Sequence, residues 1–225
     1  MTARKLHFVI TAGPTREHLD PVRFLSNPST GKMGFALAAA AARRGHRVTL
    51  VAGPVALKTP PGVTRLDVVS ARDMLAAVEG ALTDGCVVVS TAAVADWRPA
   101  VCAAKKLKKG EMSPVLRLVR NPDILKTLHR TIEQSNNPNN RTIRLVGFAA
   151  ETNDVLAEAA RKCREKGLAF IVANDVTEKG SGFGTDTDRV TFVYPDGTLR
   201  RWPLMTKRMV ARRIVEAVER GGAGA

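Results

Sequence analysis

SNPSTGKMG, residues 26–34, carries the most informative structural signal in this chain. The apolar segment before it, Leu6–Thr11 (LHFVIT), predicts a β-strand, and the alanine-rich segment after it, Phe35–Arg44, predicts a helix. A polar stretch, Gly13–Ser29, separates the two, and loops of more than about a dozen residues inside a compact α/β unit are usually functional. The start of a helix after a strand is also where α/β proteins bind phosphate. We therefore predict an anion site at residues 26–34.

The residue types of this loop support the same site without matching a standard nucleotide fingerprint. Ser29, Gly31 and Gly34 are small enough for an anion to approach the unpaired N–H groups of the first helical turn, and Lys32 adds a positive charge. Lys32 breaks the GxGxxG pattern and Met33 breaks the GxxxxGK(S/T) pattern, so the glycines alone name no cofactor. The alternative is that Gly31 and Gly34 only permit a tight turn and close helix packing.

Length and composition predict a single domain over residues 1–225, since no charge block or low-complexity tract divides the chain. No apolar stretch approaches the roughly 20 residues that span a bilayer, and the N-terminus lacks a signal-peptide pattern. We therefore expect a cytoplasmic protein without a membrane partner. Cys86, Cys102 and Cys163 are odd in number and lack metal-ligand spacing, which argues against a disulfide framework and against a zinc site.

The chain is strongly basic, with a formal net charge of +14, which predicts attraction to polyanions. Nucleic acid is one candidate partner. However, only one Tyr and two Trp are available for base stacking, and the sequence contains no nucleic-acid-binding motif. An enzyme with two phosphorylated substrates would also benefit from a positive field, and we favour that interpretation.

Strand-like and helix-like segments alternate along most of the chain. The predicted strands are Leu6–Thr11, Arg47–Ala52, Cys86–Ala92, Ile143–Phe148 and Ala169–Ala173, and the predicted helices are Phe35–Arg44, Ala71–Leu82, Asn153–Lys166 and about Lys207–Arg220. Near-continuous apolar strands joined by helices predict an α/β fold with a Rossmann-like, mostly parallel sheet and helices on both faces. Residues 189–204 (RVTFVYPDGTLRRWPL) predict a C-terminal β-hairpin extension with its turn at Pro195–Gly197.

Three segments in the middle of the chain lie outside this alternation. Arg98–Pro114 is basic and predicts an irregular loop, and Gln134–Arg141 predicts a second loop. Between them, a helix is predicted to open at Asn121, Pro122 and Asp123. Asn121 would be its N-cap, Pro122 suits the first turn, and Asp123 favours the helix dipole.

Small residues followed by polar residues recur at the predicted strand ends, in the segments TAGPT, STAAVADW, GFAAET and VANDV. The polar residues are Asp96, Glu151, Asn174 and Asp175. Parallel α/β sheets bind ligands at the carboxyl ends of the strands, near the point where the strand order reverses. Because alanine-rich ends leave room for a ligand along the backbone, we predict the binding site at this edge.

These segments, in this order and at this spacing, resemble the phosphopantothenoylcysteine synthetases, the phosphopantothenate cysteine ligases of coenzyme A biosynthesis. The segments that carry the resemblance span nearly the whole chain: ITAGPTRE, DPVRFLSNPSTGKMG, AGPVALKTPPGV, AAVADWRP, KKLKK, NPDIL, VGFAAET and VANDV. In many bacteria this domain follows a flavin-dependent phosphopantothenoylcysteine decarboxylase. That domain is absent from this sequence, so the resemblance implies a stand-alone, bacterial-type synthetase without flavin.

The resemblance implies a two-step reaction that uses CTP as co-substrate with Mg²⁺ (or Mn²⁺). The carboxylate of 4′-phosphopantothenate would attack the α-phosphate of CTP, and the amine of L-cysteine would then displace CMP from the acyl-cytidylate. The resemblance also implies a homodimer with a shared active site, in which Arg23 reaches the phosphopantothenate phosphate of the neighbouring subunit. The hairpin around Trp202 is a candidate for the dimer contact.

The resemblance further implies roles for individual residues. Asn27 would act on the phosphopantothenate carboxylate and its activated form, and Lys106 would reach the nucleotide phosphates, so both are implied to be catalytic. The implied nucleotide-binding residues are Gly13, Ser29, Gly31, Gly34, Ser90, Thr91, Ala92, Asp96, Lys106, Pro122, Asp123, Ile124, Leu125, Phe148, Lys162, Lys166 and Asn174. The implied phosphopantothenate-binding residues are Arg23, Asn27, Ala92, Ala93 and Asp96.

Simpler interpretations of several of these residues stay open on the sequence alone. Asn27 could satisfy its own turn, and Asp96 could cap a helix. The KKLKK run could be a solvated segment whose first two lysines are interchangeable. Lys162 and Lys166, four residues apart on one helix face, could be an ordinary exposed pair.

Two other function classes fit parts of the sequence. A dinucleotide-dependent oxidoreductase could use the same scaffold, but GxGxxG is absent and the second strand ends in VAGP rather than in a ribose-binding Asp or Glu. A nucleic-acid-binding module would explain only the basic charge. Pro28 and Thr30 depart from the usual form of the loop, yet Pro28 stiffens it and Thr30 keeps a hydroxyl, so we expect activity to survive.

Overall fold

The computed structural model describes residues 5–110, 115–135, 142–151, 154–182 and 184–221. The strands are β1 (His7–Ala12), β2 (Arg16–His18), β3 (Phe24–Ser26), β4 (Arg47–Ala52), β5 (Thr64–Asp67), β6 (Val87–Ser90), β7 (Trp97–Pro99), β8 (Leu118–Arg120), β9 (Arg144–Glu151), β10 (Phe170–Asp175), β11 (Thr187–Asp188), β12 (Thr191–Val193), β13 (Leu199–Arg201) and β14 (Met205–Thr206). The helices are α1 (Lys32–Arg43), α2 (Ala71–Ala81), α3 (Ile124–Gln134), α4 (Val155–Glu165) and α5 (Lys207–Glu219).

An eight-stranded sheet in the order β13-β12-β10-β9-β6-β1-β4-β5 forms the centre of the fold. Its six strands from β10 to β5 are mutually parallel, and β12 and β13 extend it as an antiparallel hairpin. The chain runs outward from β1 to β4 and β5, and then returns to β6 on the other side of β1. The strand order therefore reverses between β1 and β6, where Rossmann-like sheets bind ligands. The expected α/β, Rossmann-like class and the C-terminal hairpin are both confirmed.

Alternating strand residues build two separate hydrophobic layers, because successive side chains point to opposite faces of a sheet. On one face, residues such as Phe8 and Ile10 pack with apolar residues of α1 and α5. On the other face, Val9 packs with apolar residues of α2, α3 and α4. The sheet is thus covered on both sides, which explains why its parallel strands read as near-continuous apolar runs.

Several short strands were not predicted. β2 pairs with β3, β7 with β8 and β11 with β14, each as an antiparallel ribbon outside the main sheet. These pairs are two or three residues long and partly exposed, so they lack the apolar run that marks a buried strand. β5 was missed for the same reason, since its sequence TRLD is polar at the sheet edge.

The start of α3 corrects one prediction, because its N-cap is Asp123 rather than Asn121. The Asp123 carboxylate accepts a hydrogen bond from the Lys126 backbone N–H at 3.1 Å. Asn121 instead donates from Nδ2 to the Ala95 carbonyl at 2.8 Å, which ties this turn to the segment after β6. Either residue type can cap a helix, so only this tertiary contact decided between them.

Other boundaries differ by a few residues. β6 ends at Ser90 rather than Ala92, and β9 continues to Glu151. In the predicted loop Gln134–Arg141, Gln134 is the last residue of α3, and residues 136–141 lie outside the described part of the chain. Within the described ranges, every helix is too short or too polar to cross a membrane.

Candidate functional site

An open cleft lies at the carboxyl ends of the central strands. Its lining includes predicted site residues from four parts of the chain: Ser29, Gly31, Gly34, Thr91, Ala92, Ala93, Phe148 and Asn174. It also includes Thr30, Lys32, Met33, Ala150, Gly182, Asp188 and Lys207. The position of the cleft beside the β1–β6 reversal point is the one predicted for a ligand.

The start of α1 presents unpaired backbone donors to this cleft. Gly31 is the N-cap with a left-handed φ of 77°, and no side chain among the described residues caps the helix. The first turn also contains no acidic residue. Free N–H groups and the positive end of the helix dipole are therefore available to an anion.

The glycines of this region are also required by packing. A Cβ on Gly34 would lie 2.4 Å from the Ala12 Cβ and 2.6 Å from the Thr91 Oγ1, so α1 could not approach β1 with any larger residue. Gly13 has a φ of 78°, and a Cβ on Gly31 would lie 3.4 Å from the Gly13 Cα. The packing interpretation of the glycines is therefore supported, and it is compatible with the predicted anion site, since close packing brings the helix start to the strand ends.

The segment after β6 is held rigidly against the end of β1. Thr91 donates from Oγ1 to the Thr11 carbonyl at 2.6 Å, and the Ala92 N–H donates to Thr11 Oγ1 at 3.2 Å. The Ala93 N–H donates to the Gly13 carbonyl at 2.9 Å. These bonds fix the backbone that forms one wall of the cleft, as a site that orients substrates requires.

Asn27 lies beside this wall rather than in the lining of the cleft. Its Nδ2 donates to the Ala93 carbonyl at 3.1 Å. Because an amide group has two N–H donors, the second remains available for a ligand oxygen. Ser90, also predicted to bind nucleotide, accepts from Thr11 Oγ1 at 3.5 Å at the end of β6.

Lys207 also lines the cleft, although it was not predicted from the sequence. Its side chain is buried, with 7 % of the residue exposed, yet it lines the cleft. The Nζ donates to the Gly182 carbonyl at 2.8 Å and lies 3.7 Å from Asp188 Oδ2. Burial lowers the pKa of Lys207, and the nearby Asp188 carboxylate partly opposes that shift.

Asp188 organises the loop that holds Lys207. Its Oδ1 accepts hydrogen bonds from Asn174 Nδ2 at 3.2 Å, from Ser181 Oγ at 3.1 Å and from the Gly182 N–H at 2.7 Å. Asn174 was expected to bind the nucleotide, and the structure places it in the lining of the cleft with this carboxylate as its neighbour. We call residues 180–182 and 184–188 the glycine-rich loop.

Lys32 also contacts the glycine-rich loop. Its Nζ donates to Asp186 Oδ1 at 2.7 Å and to the Gly184 carbonyl at 3.2 Å. The hydrogen bond and charge of Lys32 lower the pKa of Asp186.

Two sequence signals could have pointed to this loop. One is the spacing of three glycines in GSGFGTD, and the other is a lysine in the first turn of α5, where the helix dipole disfavours a cation.

A second group of predicted residues surrounds the turn before α3. The Asn121 N–H donates to the Asp96 carbonyl at 2.8 Å, and Lys166 forms an ion pair with Asp123 at 2.8 Å. Although burial acts to raise it, the pKa of Asp123 is lowered by Lys166. Lys166 is thus a paired, partly buried residue rather than one half of an ordinary exposed pair. Lys162 is half-buried on the same helix.

The remaining residues of this turn differ in exposure. Pro122 is half-buried, whereas the side chains of Ile124 and Leu125 are buried in the hydrophobic layer under α3. Only their backbone could therefore face a nucleotide. The Asp96 side chain is exposed, three residues beyond Ala93.

Arg23 and Lys106 lie outside the cleft, on neighbouring segments. Arg23 forms a salt bridge with the buried Asp20 and donates to the Leu107 carbonyl at 2.8 Å. The Leu107 N–H in turn donates to Asp20 Oδ2 at 3.3 Å. The hydrogen bond from Arg23 lowers the pKa of Asp20 far below its usual range. Lys105 and Lys106 are both exposed, and the assignment of the phosphate contact to Lys106 stays a prediction.

No group of three or more His, Cys, Asp or Glu in the described ranges has the geometry of a metal site. Magnesium commonly binds through one or two carboxylates together with the phosphates of its substrate. The exposed carboxylates Asp96 and Asp186 have the chemistry for that mode, whereas Asp188 is already occupied by hydrogen bonds.

Comparison with known proteins agrees with this architecture. Residues 3–221 match the family model described as the DNA/pantothenate metabolism flavoprotein C-terminal domain. The chain is 45 % identical over 213 residues to a coenzyme A biosynthesis bifunctional protein CoaBC from Vibrio vulnificus. The alignment covers 94 % of this chain and 51 % of that protein. The chain spans about half the length of the curated relatives it matches.

Solved structures show the same fold. A crystal structure of the C-terminal domain of a CoaBC protein has a TM-score of 0.78 at 44 % identity and covers 97 % of this chain and 98 % of that one. A Cab2 mutant in complex with phosphopantothenate-cysteine has a TM-score of 0.75 at 17 % identity, with coverages of 96 % and 87 %, and supports the fold alone. The resemblance to phosphopantothenoylcysteine synthetases thus holds at the level of the family, and the chain belongs to the DNA/pantothenate metabolism flavoprotein C-terminal domain family.

Proposed function

We propose that this chain joins 4′-phosphopantothenate to L-cysteine with CTP, through an acyl-cytidylate intermediate. The observation that carries the proposal is the cleft itself, in which the uncapped start of α1 meets the rigid end of β6 and two lysines. Family membership supports the same chemistry, because the related CoaBC proteins are named for coenzyme A biosynthesis.

The reaction proceeds in two displacements. A phosphopantothenate carboxylate oxygen attacks the α-phosphorus of CTP, which forms the acyl-cytidylate and releases pyrophosphate. The cysteine amine then attacks the activated carbonyl, which forms the amide and releases CMP and a proton. Both steps bring anions together, so positioning and charge stabilisation are the main demands on the protein.

The phosphate chain binds at the start of α1 in this proposal. Ser29, Gly31 and Gly34 provide close backbone approach, and the helix dipole adds a fixed positive potential. Lys32 supplies a mobile charge, because its current partner Asp186 lies at the exposed surface. The ion pair is worth little in water, so triphosphate can replace it at small cost.

The acyl group lies between Asn27 and the segment after β6. Asn27 is oriented by its bond to the Ala93 carbonyl, and its second N–H donates to the phosphopantothenate carboxylate and then to the acyl-cytidylate. The base and ribose occupy the side of the cleft lined by Phe148 and Asn174, near the Asp123–Lys166 pair. Ser90 and Thr91 shape this wall through their contacts with Thr11, and Gly13 does so through the hydrogen bond that its carbonyl accepts from the Ala93 N–H.

Magnesium supplies charge neutralisation of the triphosphate when bound. Asp96 and Asp186 are the exposed carboxylates that would hold it together with the phosphate oxygens. Lys106, on an exposed segment, would approach the phosphates from solvent during the first step.

Arg23 acts across a homodimer in this proposal. Exposed apolar residues lie on or next to the β2–β3 and β7–β8 ribbons, which adjoin each other: Val22, Phe24, Trp97, Val101 and Leu118. Trp202 instead packs against Phe192 at 6.0 Å and under Arg213, so the terminal hairpin presents less free apolar surface. The ribbons are therefore our choice for the dimer surface.

Sedimentation analysis tests that surface. Val101 is 79 % exposed, and Val101→Asp should convert the dimer to a monomer because the carboxylate would be buried on association. Leu199→Asp, on the exposed side of the terminal hairpin, is the matched control and should leave the dimer intact. Dissociation by Leu199→Asp alone would place the contact at the hairpin instead.

Pyrophosphate release tests the reaction. Purified protein receives 4′-phosphopantothenate, Mg²⁺ and either CTP or ATP, with and without cysteine, and the product is identified by mass. Release with CTP, and phosphopantothenoylcysteine only when cysteine is present, would support the proposal. Preference for ATP would change the nucleotide, and no turnover with either nucleotide would reject the ligase.

A further inference from the structure

We propose that Lys207 is a fixed phosphate-binding residue of the cleft, which contacts the β- and γ-phosphates of the nucleotide beside the start of α1. The inference rests on the proposed function, and it assigns a role to a residue that the sequence reasoning left unassigned. Its basis is the burial, the anchoring and the unused hydrogen-bonding capacity of this one ammonium group.

The position of Lys207 favours this role. It is the first residue of α5, and α1 and α5 pack side by side with their first residues facing the same loop. Lys32 opens α1 and contacts Asp186, and the Lys207 backbone N–H donates to the Asp186 carbonyl at 2.9 Å. The positive ends of two helix dipoles therefore converge on one side of the cleft.

The position of the Lys207 ammonium group is energetically unfavourable in the absence of a ligand. A buried lysine in the first turn of a helix is disfavoured by desolvation and by the dipole, and the charge of Lys32 adds further repulsion. The carboxylate of Asp188, at 3.7 Å, and the charge of Asp186 compensate only part of this cost. Such a concentration of positive charge is balanced when a triphosphate enters, which is the pattern of a site built for polyanions.

The Lys207 ammonium group also has hydrogen-bonding capacity to spare. An ammonium group has three N–H donors, and Lys207 directs one to the Gly182 carbonyl while Asp188 takes at most one more. With respect to the described residues, at least one donor is left, and the side chain lines the cleft. Because the stem is already buried and anchored, little conformational entropy is lost when a phosphate binds.

Lys207 and Lys32 therefore contact the phosphate chain in different ways. Lys32 is partly exposed and held by an exchangeable surface ion pair, whereas Lys207 is held in place before any ligand arrives. A substituted Lys207 should weaken binding of the phosphate chain without affecting binding of the nucleoside part. This separates a phosphate contact from a general structural role.

The test measures dissociation constants by titration calorimetry in the presence of Mg²⁺ for CTP, CMP and inorganic tripolyphosphate. Lys207→Met should weaken CTP and tripolyphosphate binding by about ten- to a hundredfold, the usual range for one hydrogen bond to a charged group. CMP binding should change less than about twofold, since CMP lacks the β- and γ-phosphates.

Arg208→Gln is the matched control. Arg208 is the next residue of α5 and is exposed, so its substitution removes one positive charge from the same helical turn without entering the cleft. It should leave all three affinities nearly unchanged. If Lys207→Met does not fold, the double variant Lys207→Met, Asp188→Asn removes both buried charges and keeps an amide oxygen for the loop N–H groups.

The outcomes are separable. Unchanged CTP and tripolyphosphate affinities, or an equal loss of affinity for CTP and CMP, would overturn the assignment of Lys207. Binding of tripolyphosphate but not CTP by the wild type would reject the nucleotide of the proposed function, while the effect of Lys207→Met on tripolyphosphate would still decide the inference. Failure of the wild type to bind any of the three would overturn both.

Discussion

Gly34 shows how a single residue links the core to the site. It has no room for a side chain, because it sits against Ala12 of β1 and Thr91 of the cleft wall. The absence of a Cβ is what lets the first turn of α1 lie directly over the strand ends. The sequence identified Gly34 as small and placed it at a helix start, but its two neighbours could be named only from the structure.

Gly34→Ala should therefore destabilise the protein and weaken CTP binding. The new Cβ would force α1 away from β1, at a cost of about 1–3 kcal/mol in the free energy of unfolding. Gly80→Ala, in α2, is the matched control, because a Cβ there meets nothing within 4 Å. That variant should be unchanged or up to about 1 kcal/mol more stable. Urea unfolding of both variants checks the prediction, and equal stabilities would contradict it.

Asn27→Asp should separate the two chemical steps. A carboxylate oxygen would replace Nδ2 and would face the Ala93 carbonyl oxygen. The negative charge of the carboxylate would also repel the anionic acyl-cytidylate. We expect pyrophosphate release to persist, while amide formation falls by roughly 10- to 100-fold. Rapid-quench assays of pyrophosphate and product would measure the two steps. Normal amide formation by the variant would remove Asn27 from the proposed mechanism.

At the scale of elements, helix ends and short loops carry most of the site. α1 and α3 begin at residues that also face or support the cleft, and the glycine-rich loop connects Lys32, Lys207 and Asn174. The long elements followed the sequence pattern closely, since β4 has the predicted bounds and α2 is one residue shorter. The short ribbons and this loop have no comparable periodic signal, so they became visible only in the structure.

The start of α3 offers a test at this scale. Asp123 both caps the helix and pairs with Lys166, and Asp123→Ala should lose about 1 kcal/mol of unfolding free energy. Asp123→Ser keeps a capping oxygen but removes the ion pair, so it should retain most of that stability. If the pair also positions the nucleotide, both variants should bind CTP more weakly than the wild type. Thermal unfolding measures the effect on stability, and CTP titration measures the effect on binding. An Asp123→Ser variant as unstable as Asp123→Ala would contradict the capping role.

At the scale of the molecule, the ligand end of the sheet is open and polar, while the opposite end is closed by buried contacts. His7 begins β1 at that opposite end, with its ring nitrogens 2.9 Å from Thr49 Oγ1 and 2.8 Å from Thr83 Oγ1. Burial, together with the charge of Arg47, lowers the pKa of His7 from 6.5 to about 4. The folded protein therefore holds this histidine neutral at pH values where the unfolded chain binds a proton.

Stability should consequently fall as the pH drops from about 6.5 to about 4. The contribution is fully present above the unfolded pKa, and its loss is at most about 3 kcal/mol, since one pKa unit corresponds to about 1.4 kcal/mol. His7→Gln keeps hydrogen-bonding groups but does not titrate, so its unfolding free energy should change less over this range. Urea unfolding at several pH values checks the difference, and identical pH profiles would exclude His7. CTP binding at neutral pH should be unaffected.

The local pattern of this chain was enough to determine the alternation of strands and helices, the parallel sheet and the loop at residues 26–34. Apolar periodicity and helix-start residues act over a few positions, so they can be read directly. The neighbours in the cleft depend instead on contacts such as Lys32 with Asp186, 154 residues apart. Lys207 reads as a surface charge at a helix start, and it becomes a buried cation only because the sheet brings α1, α5 and the glycine-rich loop together. Burial and proximity are properties of the packed molecule, and for that reason only the tertiary structure could decide them.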